Sequence, residues 1–556
     1  MKAGAFTFVL PSHLPYVRNS GMWPHGEEWV HEAASECYLP LLEALYELRG
    51  KGLAFKLTVS VTPVLMEQLA DPLVLQHLTI FINDKIQRAE RDIERFETAG
   101  EGHRLYLARH YAERYRKTLA DFQEKFSGQI LPAFKLLQDE GYLELCTSAA
   151  THAYLPLLER DSSIHGQLDT GVRTYRRHFG RAPSSAWLPE CGYRPAYYPG
   201  PGASYVKPGL ETFLAEEKIS CFFAETHTIE GGSPVGKAQG EVIGPYGNIV
   251  RRYVVPLPEY VQPTNNTTYL PYWVQTPEVA VLGRNNRTSM QVWSADWGYP
   301  GDFDYREFHK KDGVSGLQYW KVTGARLDLA LKQYYDPYRA VQKAEEHARH
   351  FSKLVEDLLT EHHEKSGGYG IIVSSYDTEL FGHWWFEGVD WLKMVLENLS
   401  KSATAELVTA SGFVEAHPPD QVLSIPEGSW GQAGNHFTWM NVDTEWMWPL
   451  IQSASQQMEQ LVDKFPRAMG ATRDALNQAG RELLLLQSSD WPFLVTTGQA
   501  KEYAVSRFHD HLSRFNRLVE SLMAGAVDTA LVQELWEKDK VFPDIDYRVF
   551  RHRESP

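Results

Sequence analysis

The stretch Ile371–Gly388 reads IIVSSYDTELFGHWWFEG. Three β-branched residues, Ile371, Ile372 and Val373, run into two serines. Tyr376, Asp377, Glu379, His383, Trp384, Trp385 and Glu387 follow. A short apolar run that stops abruptly in polar residues reads as a buried strand and the loop after it. Acids, a histidine and paired tryptophans at the C-terminal end of such a strand are where an α/β barrel carries its chemistry. A carboxylate beside broad aromatic faces suits a sugar ring. A partner carboxylate then has to come from elsewhere in the chain.

The same punctuation recurs upstream. Phe6–Leu10 precedes Pro11-Ser12-His13, and Phe55–Val61 precedes Thr62-Pro63. Leu143–Cys146 leads to His152, Ala186–Leu188 to Pro189-Glu190, Ile219–Ala224 to Glu225, and Val279–Leu282 to Gly283-Arg284. Parallel strands deliver their C-termini to one face, so His13, His152, Glu190, Glu225, Arg284 and Asp377 are expected side by side. Residues 76–138 interrupt the alternation with two long charge-rich amphipathic patterns joined by Thr-Ala-Gly-Glu-Gly, an inserted helical hairpin packed on the barrel. After about residue 415 the strand signals fade, and helices are predicted over 450–465, 466–487, 499–523 and 527–538. The expected organisation is an α/β catalytic unit from 1–75 and 139–414, the 76–138 insertion, and a helical domain over 415–556. Residues 231–269 are rich in Gly, Pro, Asn and Tyr and read as a long loop, which in a compact domain is usually functional.

Bulk properties narrow the function classes. A chain of 556 residues exceeds one small core. Its net charge of −16 argues against nucleic acid and against an anionic membrane surface, while leaving a neutral ligand open. The 16 tryptophans exceed what a core needs. Cys37, Cys146, Cys191 and Cys221 form no CxxC and read as buried free thiols. The apolar N-terminal run breaks at Pro11, too soon for a signal peptide, and no stretch reaches membrane-spanning length, so a cytoplasmic location is expected.

Glycosidic cleavage uses two carboxyl groups, one on each side of the scissile bond, and Glu190 and Asp377 are the best pair by position. Each has a plainer reading, Glu190 as a helix N-terminal charge and Asp377 as the N-cap of a helix starting near Thr378. The histidines at neighbouring strand ends favour the catalytic reading. No HxxxH or HxxE spacing supports a metal-dependent deacetylase built from His13, His152 and Asp377.

These residues fall in motifs that resemble glycoside hydrolase family 57. WLPECGY (Trp187–Tyr193) is similar to its nucleophile motif, and SSYDTELFGHWWFEG to its acid/base motif. HLP at His13 and THAYLP at His152 resemble its histidine motifs. QVWS (Gln291–Ser294), GYPGDFDYREFH (Gly298–His309), YWKVTG (Tyr319–Gly324), SWGQAGNHFTWMN (Ser429–Asn441) and SSDWPFLVTTG (Ser488–Gly498) resemble the family's 1,4-α-glucan branching enzymes. The resemblance implies a (β/α)7 barrel with a helical insertion and a C-terminal helical domain closing the cleft. It implies a retaining mechanism with neither metal nor cofactor, acting on α-1,4-glucan donor and acceptor chains such as amylose and glycogen, in a monomer or homodimer. Glu190 would be the nucleophile. Asp377 would be the acid/base, protonating the leaving oxygen and then deprotonating an incoming 6-hydroxyl. A 4-α-glucanotransferase or α-amylase of the same family is the rival activity.

The resemblance further implies sugar contacts from His13, Trp29 (with Trp23 as its alternative), His152, Arg284, Trp293, Trp430, Trp439 and Asp490. Arg284 is expected beside Glu190, His383 is expected to hold Asp377, and Trp384 with Trp385 is expected to wall off the acid. The 231–269 loop would be the lid, with Tyr246, Tyr253, Tyr260 and Tyr269 competing for a role in transfer and Tyr260 preferred.

Overall fold

In the computed structural model, seven parallel strands close into a barrel. They are β1 (Gly4–Ser12), β2 (Leu57–Val61), β3 (Leu143–Cys146), β4 (Ser185–Ala186), β5 (Cys221–Ala224), β6 (Thr276–Gly283) and β7 (Gly370–Ser375). The structure describes residues 2–200, 203–234, 243–244, 247–248, 260–294, 297–324 and 327–553. β7, β1, β2 and β3 form one hydrogen-bonded run, and β6, β5 and β4 another. Two parallel bridges join the runs, Thr147 with Ala186 and Arg284 with Val373. Both bridging residues lie one position beyond their strands, so the ring closes at its C-terminal rim. In β1–β7 the register runs from Gly4 opposite Gly370 to Val9 opposite Ser375.

The strands read as continuous apolar runs because both faces are buried. Along β1 the side chains alternate. Ala5 and Val9 join Cys146, Cys221, Phe223, Ala280, Leu282, Ile371 and Val373 in one buried cluster, the barrel interior. Phe6, Phe8 and Leu10 belong to the larger cluster outside it, against the helices. Small residues at several interior positions suit a seven-stranded ring narrower than the usual eight. All four cysteines are buried and free.

The strand spans match the sequence reading to within a few residues. The insertion begins earlier than the apolar pattern suggests: its helices run Pro72–Thr98 and Gly102–Ala120, with Asp71 capping the first through Leu73 and Val74 N–H. The hairpin packs on the irregular segment after β6. There Tyr319 donates to Asp92 (2.6 Å), and Tyr111 to the Gln318 carbonyl (2.5 Å).

Beyond residue 415 the strand signal does not vanish. Val422–Leu423 pairs with Tyr272–Val274, which runs antiparallel to β6. The C-terminal helices are Met447–Lys464, Gly470–Leu486, Asp490–Thr497, Lys501–Met523 and Thr529–Lys538. Asp490–Thr497 is not predicted from sequence. It has only 8 residues, too few for the apolar period to declare itself, and Pro492 interrupts the pattern. Among the described residues no helix is long and apolar enough to cross a membrane.

Candidate active site

β4 is only two residues long, and the chain leaves it through Trp187-Leu188 into the turn Pro189–Cys191. Glu190 (φ 59°) and Cys191 (φ 50°) are both left-handed, which costs about 1–3 kcal/mol per non-glycine residue. Such strain persists only where the surroundings enforce it. Here the enforcing partner comes from far away: Trp430 N–H donates to the Glu190 carbonyl (3.0 Å), and Trp430 Nε1–H to Glu190 Oε2 (2.5 Å). The Trp430 ring leans on Trp187 at 4.7 Å and plugs the top of the barrel interior. Glu190 thus sits in a strained turn rather than as the opening charge of a helix.

Arg284 is held by other groups at the strand ends. Its Nη1 donates to Glu225 Oε1 (2.6 Å) and its Nε to Ser289 Oγ (2.8 Å), both partners buried. Its guanidinium lies 5.7 Å from the Trp430 ring centre, so it backs the tryptophan that holds the glutamate. Glu225, also a strand-end carboxylate, is a buried counter-ion of Arg284. Burial raises its pKa, and the Arg284 charge and hydrogen bond work against that rise.

Asp377 follows β7 and precedes the turn Thr378–Leu380, and its side chain makes no capping hydrogen bond. The N-cap reading therefore falls. The segment is pinned on both sides of the acid. Ser12 donates to Thr378 Oγ1 (2.7 Å), Cys37 Sγ to the Thr378 carbonyl (2.9 Å), and Tyr38 O–H to Glu379 Oε1. His13 N–H also donates to Glu379 (3.2 Å). Gly382 (φ 92°) lets the loop turn against the helix that carries Glu36: a Cβ there would meet the Glu36 carbonyl at 2.0 Å. Burial, with a contribution from the Asp377 charge, lifts Glu379 to about 7.

The charges of Glu190 and Asp377 act on common groups. Burial pushes the Cys191 thiol far up, and the carboxylates of Glu225, Glu190 and Asp377 add to it. His13 feels Glu190 and Glu379, and Glu379 feels Asp377 and His13. The strand-4, strand-7 and strand-1 ends therefore form one electrostatic unit.

The C-terminal domain completes that unit. His13 and His152 stack with ring centres 3.9 Å apart and an interplanar angle of 14°. His13 Nε2 meets Asp490 Oδ1 at 3.0 Å, its Nδ1 meets Thr62 Oγ1 at 3.0 Å, and His152 Nδ1 meets Ser489 Oγ at 3.0 Å. Burial disfavours a charged His13. Asp490, by charge and hydrogen bond, with Glu190 and Glu379 beyond it, outweighs burial, and the pKa lies above its ordinary 6.5. A raised histidine pKa stabilises the fold fully below the unfolded value, and that stabilisation is lost as pH rises through the folded value. Asp490→Asn should therefore lower the His13 pKa and weaken the fall in thermal stability above pH 6.5. Histidine NMR titration with unfolding curves across that range checks both; an unmoved His13 resonance would refute the pairing.

The other aromatic and polar residues divide. Trp293, at the end of the helix Asn286–Trp293, and Trp384 are half-buried, and Trp29 packs near His25 and Tyr503. Trp439 has no exposed surface. It stacks on Tyr154 at 4.0 Å, and a Cβ on Gly431 would lie 2.8 Å from its ring, so it underpins the loop that carries Trp430. Trp385 is likewise a core residue, against Tyr305 and Trp391, and does not wall the acid. The expectation that His383 holds Asp377 is corrected: its Nδ1 binds Glu36 Oε2 (3.0 Å) and its Nε2 faces Glu32 at 3.9 Å. The loop tip Gly382-His383 points back at the helix of Glu36, and Arg306 completes that buried ion cluster at 3.6 Å from Glu36. Of the candidate lid tyrosines, Tyr246 and Tyr253 fall outside the described residues. Tyr260 is 59% exposed. Tyr269 stacks on His362 at 4.5 Å and accepts Ile371 N–H, which places it at the opposite end of β7.

Glu225 is expected at the strand-end face but without a role, and Thr62, Glu379 and Ser489 are absent from the predicted site set. Glu225 and Thr62 carry the strand-end signal, and Glu379 and Ser489 lie inside quoted motifs, but none has a spacing that singles it out. Among the described residues, two groups come within ligand distance of one another for a metal: His165, Asp169 and Glu217, and the buried Glu482, His511 and Asp539. Neither includes a strand-end residue of this site.

The model for glycosyl hydrolase family 57 matches residues 7–426, and the model for the C-terminal region of 1,4-alpha-glucan branching enzymes matches residues 450–550. A 1,4-alpha-glucan branching enzyme of Thermococcus kodakarensis is 45% identical over 97% of this chain and 77% of its own length. A crystal structure of that archaeal enzyme with glucose superposes at a TM-score of 0.89, with 43% identity, covering 100% of this chain and 98% of the other. The branching enzyme of Pyrococcus horikoshii gives a TM-score of 0.87 with 40% identity over 100% and 98% of the two chains. An alpha-amylase of Thermotoga maritima gives 0.82 with 31% identity over the whole of both.

Proposed function

Because the chain belongs to glycosyl hydrolase family 57, we propose that the strand-end cluster around Glu190 and Asp377 cleaves α-1,4-glucosidic bonds and rebuilds them as α-1,6 branches. The observation that carries branching is the one residue series shared by two domains: Trp430, Ser489 and Asp490 reach Glu190, His152 and His13. These three lie in the segments whose motifs resemble branching enzymes, and two of them in the matched C-terminal region.

The chemistry follows from retaining glycoside transfer, which wants the two carboxyl groups about 5–5.5 Å apart. Glu190 attacks the anomeric carbon and the α-1,4 C–O bond breaks. Asp377 gives its proton to the departing 4-oxygen, leaving a glucosyl ester on Glu190. A 6-hydroxyl of an acceptor chain then attacks the same carbon, Asp377 takes its proton, and the ester bond breaks. Trp430 holds Glu190 against the strained turn, so the nucleophile does not reorganise as charge moves. His13, held by Asp490 and Thr62, places Asp490 and the stacked His152 where the hydroxyls of the bound glucose pass. Trp293 and Trp384, both half-buried, present ring faces for flanking glucose units, whereas Trp29 is buried in the core and offers none; the exposed Tyr260 stands on the side where acceptor must displace water. The working form is a cytoplasmic monomer or homodimer.

Hydrolysis is the competing outcome, favoured by the likeness to the Thermotoga amylase. Amylose incubated with the protein and then treated with an α-1,6-debranching enzyme separates the two. New short chains released on debranching, with little reducing sugar beforehand, are expected; reducing sugar alone would sink the branching reading.

A further inference from the structure

Next to the acid/base loop, three extended runs lie side by side. Val322 and Glu307 N–H donate to the Tyr305 and Trp320 carbonyls (2.8 and 2.9 Å), tying residues 303–307 to 319–323. Lys321 and Tyr335 N–H donate to the Gln333 and Tyr319 carbonyls (both 2.9 Å), adding residues 333–335 outside. The inner run is anchored to the acid/base loop: Arg306 N–H donates to Glu387 Oε1 (3.1 Å) and Arg306 Nη2 to the His383 carbonyl (3.3 Å).

On the middle and outer runs Trp320 faces Tyr334 across an antiparallel bridge. Their ring centres are 6.1 Å apart and the rings incline at 36°. Tyr334 is 39% exposed, and Leu329 and Leu331 beside it are open too, at 45% and 65%. The Lys310 ammonium lies 4.4 Å from the Trp320 ring centre. Trp320 is half-buried against the core with Lys310 over its ring, and Tyr334, with Arg104 over its ring at 5.6 Å, carries the platform outward to the open leucines.

We infer that this platform is a second α-glucan site, outside the catalytic cleft, which holds the same polymer while its chain end is worked on. The inference rests on α-glucan being the substrate. Sugar rings offer apolar C–H faces to aromatic rings and hydroxyl edges to donors. An α-1,4 chain curls, so consecutive glucose units tilt relative to one another, whereas a β-linked chain is a flat ribbon that wants coplanar rings. The 36° inclination matches the curled chain. A glucose on the open Tyr334 ring receives a hydrogen bond from Lys310, which lies over the neighbouring Trp320 ring. The platform lies two strand spacings, about 10 Å, from the acid/base loop and is bonded to it through Arg306. A chain held there is retained close to the cleft between transfers.

Native electrophoresis through gels with and without amylose tests this. The whole chain, Tyr334→Ala and the double variant Trp320→Ala/Tyr334→Ala are compared, with Trp320→Phe as a ring-preserving control. Tyr334 is exposed enough to be removed without unfolding, and a thermal melt verifies each variant. Retardation by amylose should weaken about fivefold for Tyr334→Ala and more for the double variant, the loss of one and two ring contacts, while Trp320→Phe keeps most of it. Unchanged retardation of the folded Tyr334→Ala and double variants, with amylose still turned over, would overturn the platform alone. Failure of the unaltered protein to retard in amylose or turn it over would overturn the α-glucan reading and the platform with it.

Discussion

Glu190→Gln should reduce turnover of amylose by at least about 10⁴-fold, leaving a folded protein that still binds glucan. The amide keeps the shape of the carboxyl and still accepts from Trp430 Nε1, so the tie between the strained turn and the 428–434 loop survives. What is lost is the electron pair that forms the glucosyl ester. A melting temperature close to that of the unaltered chain, unchanged retardation in amylose gels and absent product would together assign Glu190 to chemistry rather than to packing. Glu190→Ala adds a stereochemical reading. It opens room for azide, which then attacks from the vacated side and gives a glucosyl azide of inverted configuration. Ordinary turnover in the glutamine variant would refute the assignment.

Asp377→Ala should cost about 10²–10⁴-fold on amylose, the usual worth of a positioned general acid/base. The loss should depend on the leaving group. A glucosyl donor with a good leaving group needs no proton for the first step, so ester formation recovers while its breakdown remains slow. Azide needs no general base and should restore turnover, giving a product of retained configuration, opposite to that from the nucleophile variant. The surrounding contacts allow the substitution: Thr378 and Glu379 hold the segment through Ser12, Cys37 and Tyr38, and Asp377 itself makes no capping bond. A loss independent of leaving group, or azide product of inverted configuration, would overturn the role.

Much of this was legible before any coordinates, for a reason tied to the architecture. A parallel barrel buries both faces of each strand, so strands appear as unbroken apolar runs such as Phe6–Leu10 and Ile371–Val373. The first polar residue after each run marks the functional face. Strand ends are local signals, and His13, His152, Glu190, Glu225, Arg284 and Asp377 could all be read from them. Their partners could not. That Arg284 binds Glu225, and that His383 turns to Glu36 rather than Asp377, depends on side-chain directions set by neighbours far away in the chain.

The tryptophans show the same division. Trp384 and Trp385 are adjacent in sequence and were expected to act together. Only Trp384 remains half-buried, because Trp385 turns into the aromatic core beside Trp391. Trp430 and Trp439 share one motif, yet one ring donates to Glu190 while the other supports the loop from beneath.

By itself the sequence determined the barrel class, the helical stretches after β2 and beyond residue 415, and the strand-end positions of Glu190 and Asp377, since each leaves a periodic or motif-level imprint on a short stretch. Only the tertiary structure decided that Asp490 raises the His13 pKa, that Ser489 meets His152 and that Trp430 braces Glu190. Each is a contact between a barrel loop and a segment beyond residue 428, fixed by how the helical domain docks, and docking leaves no period in the chain.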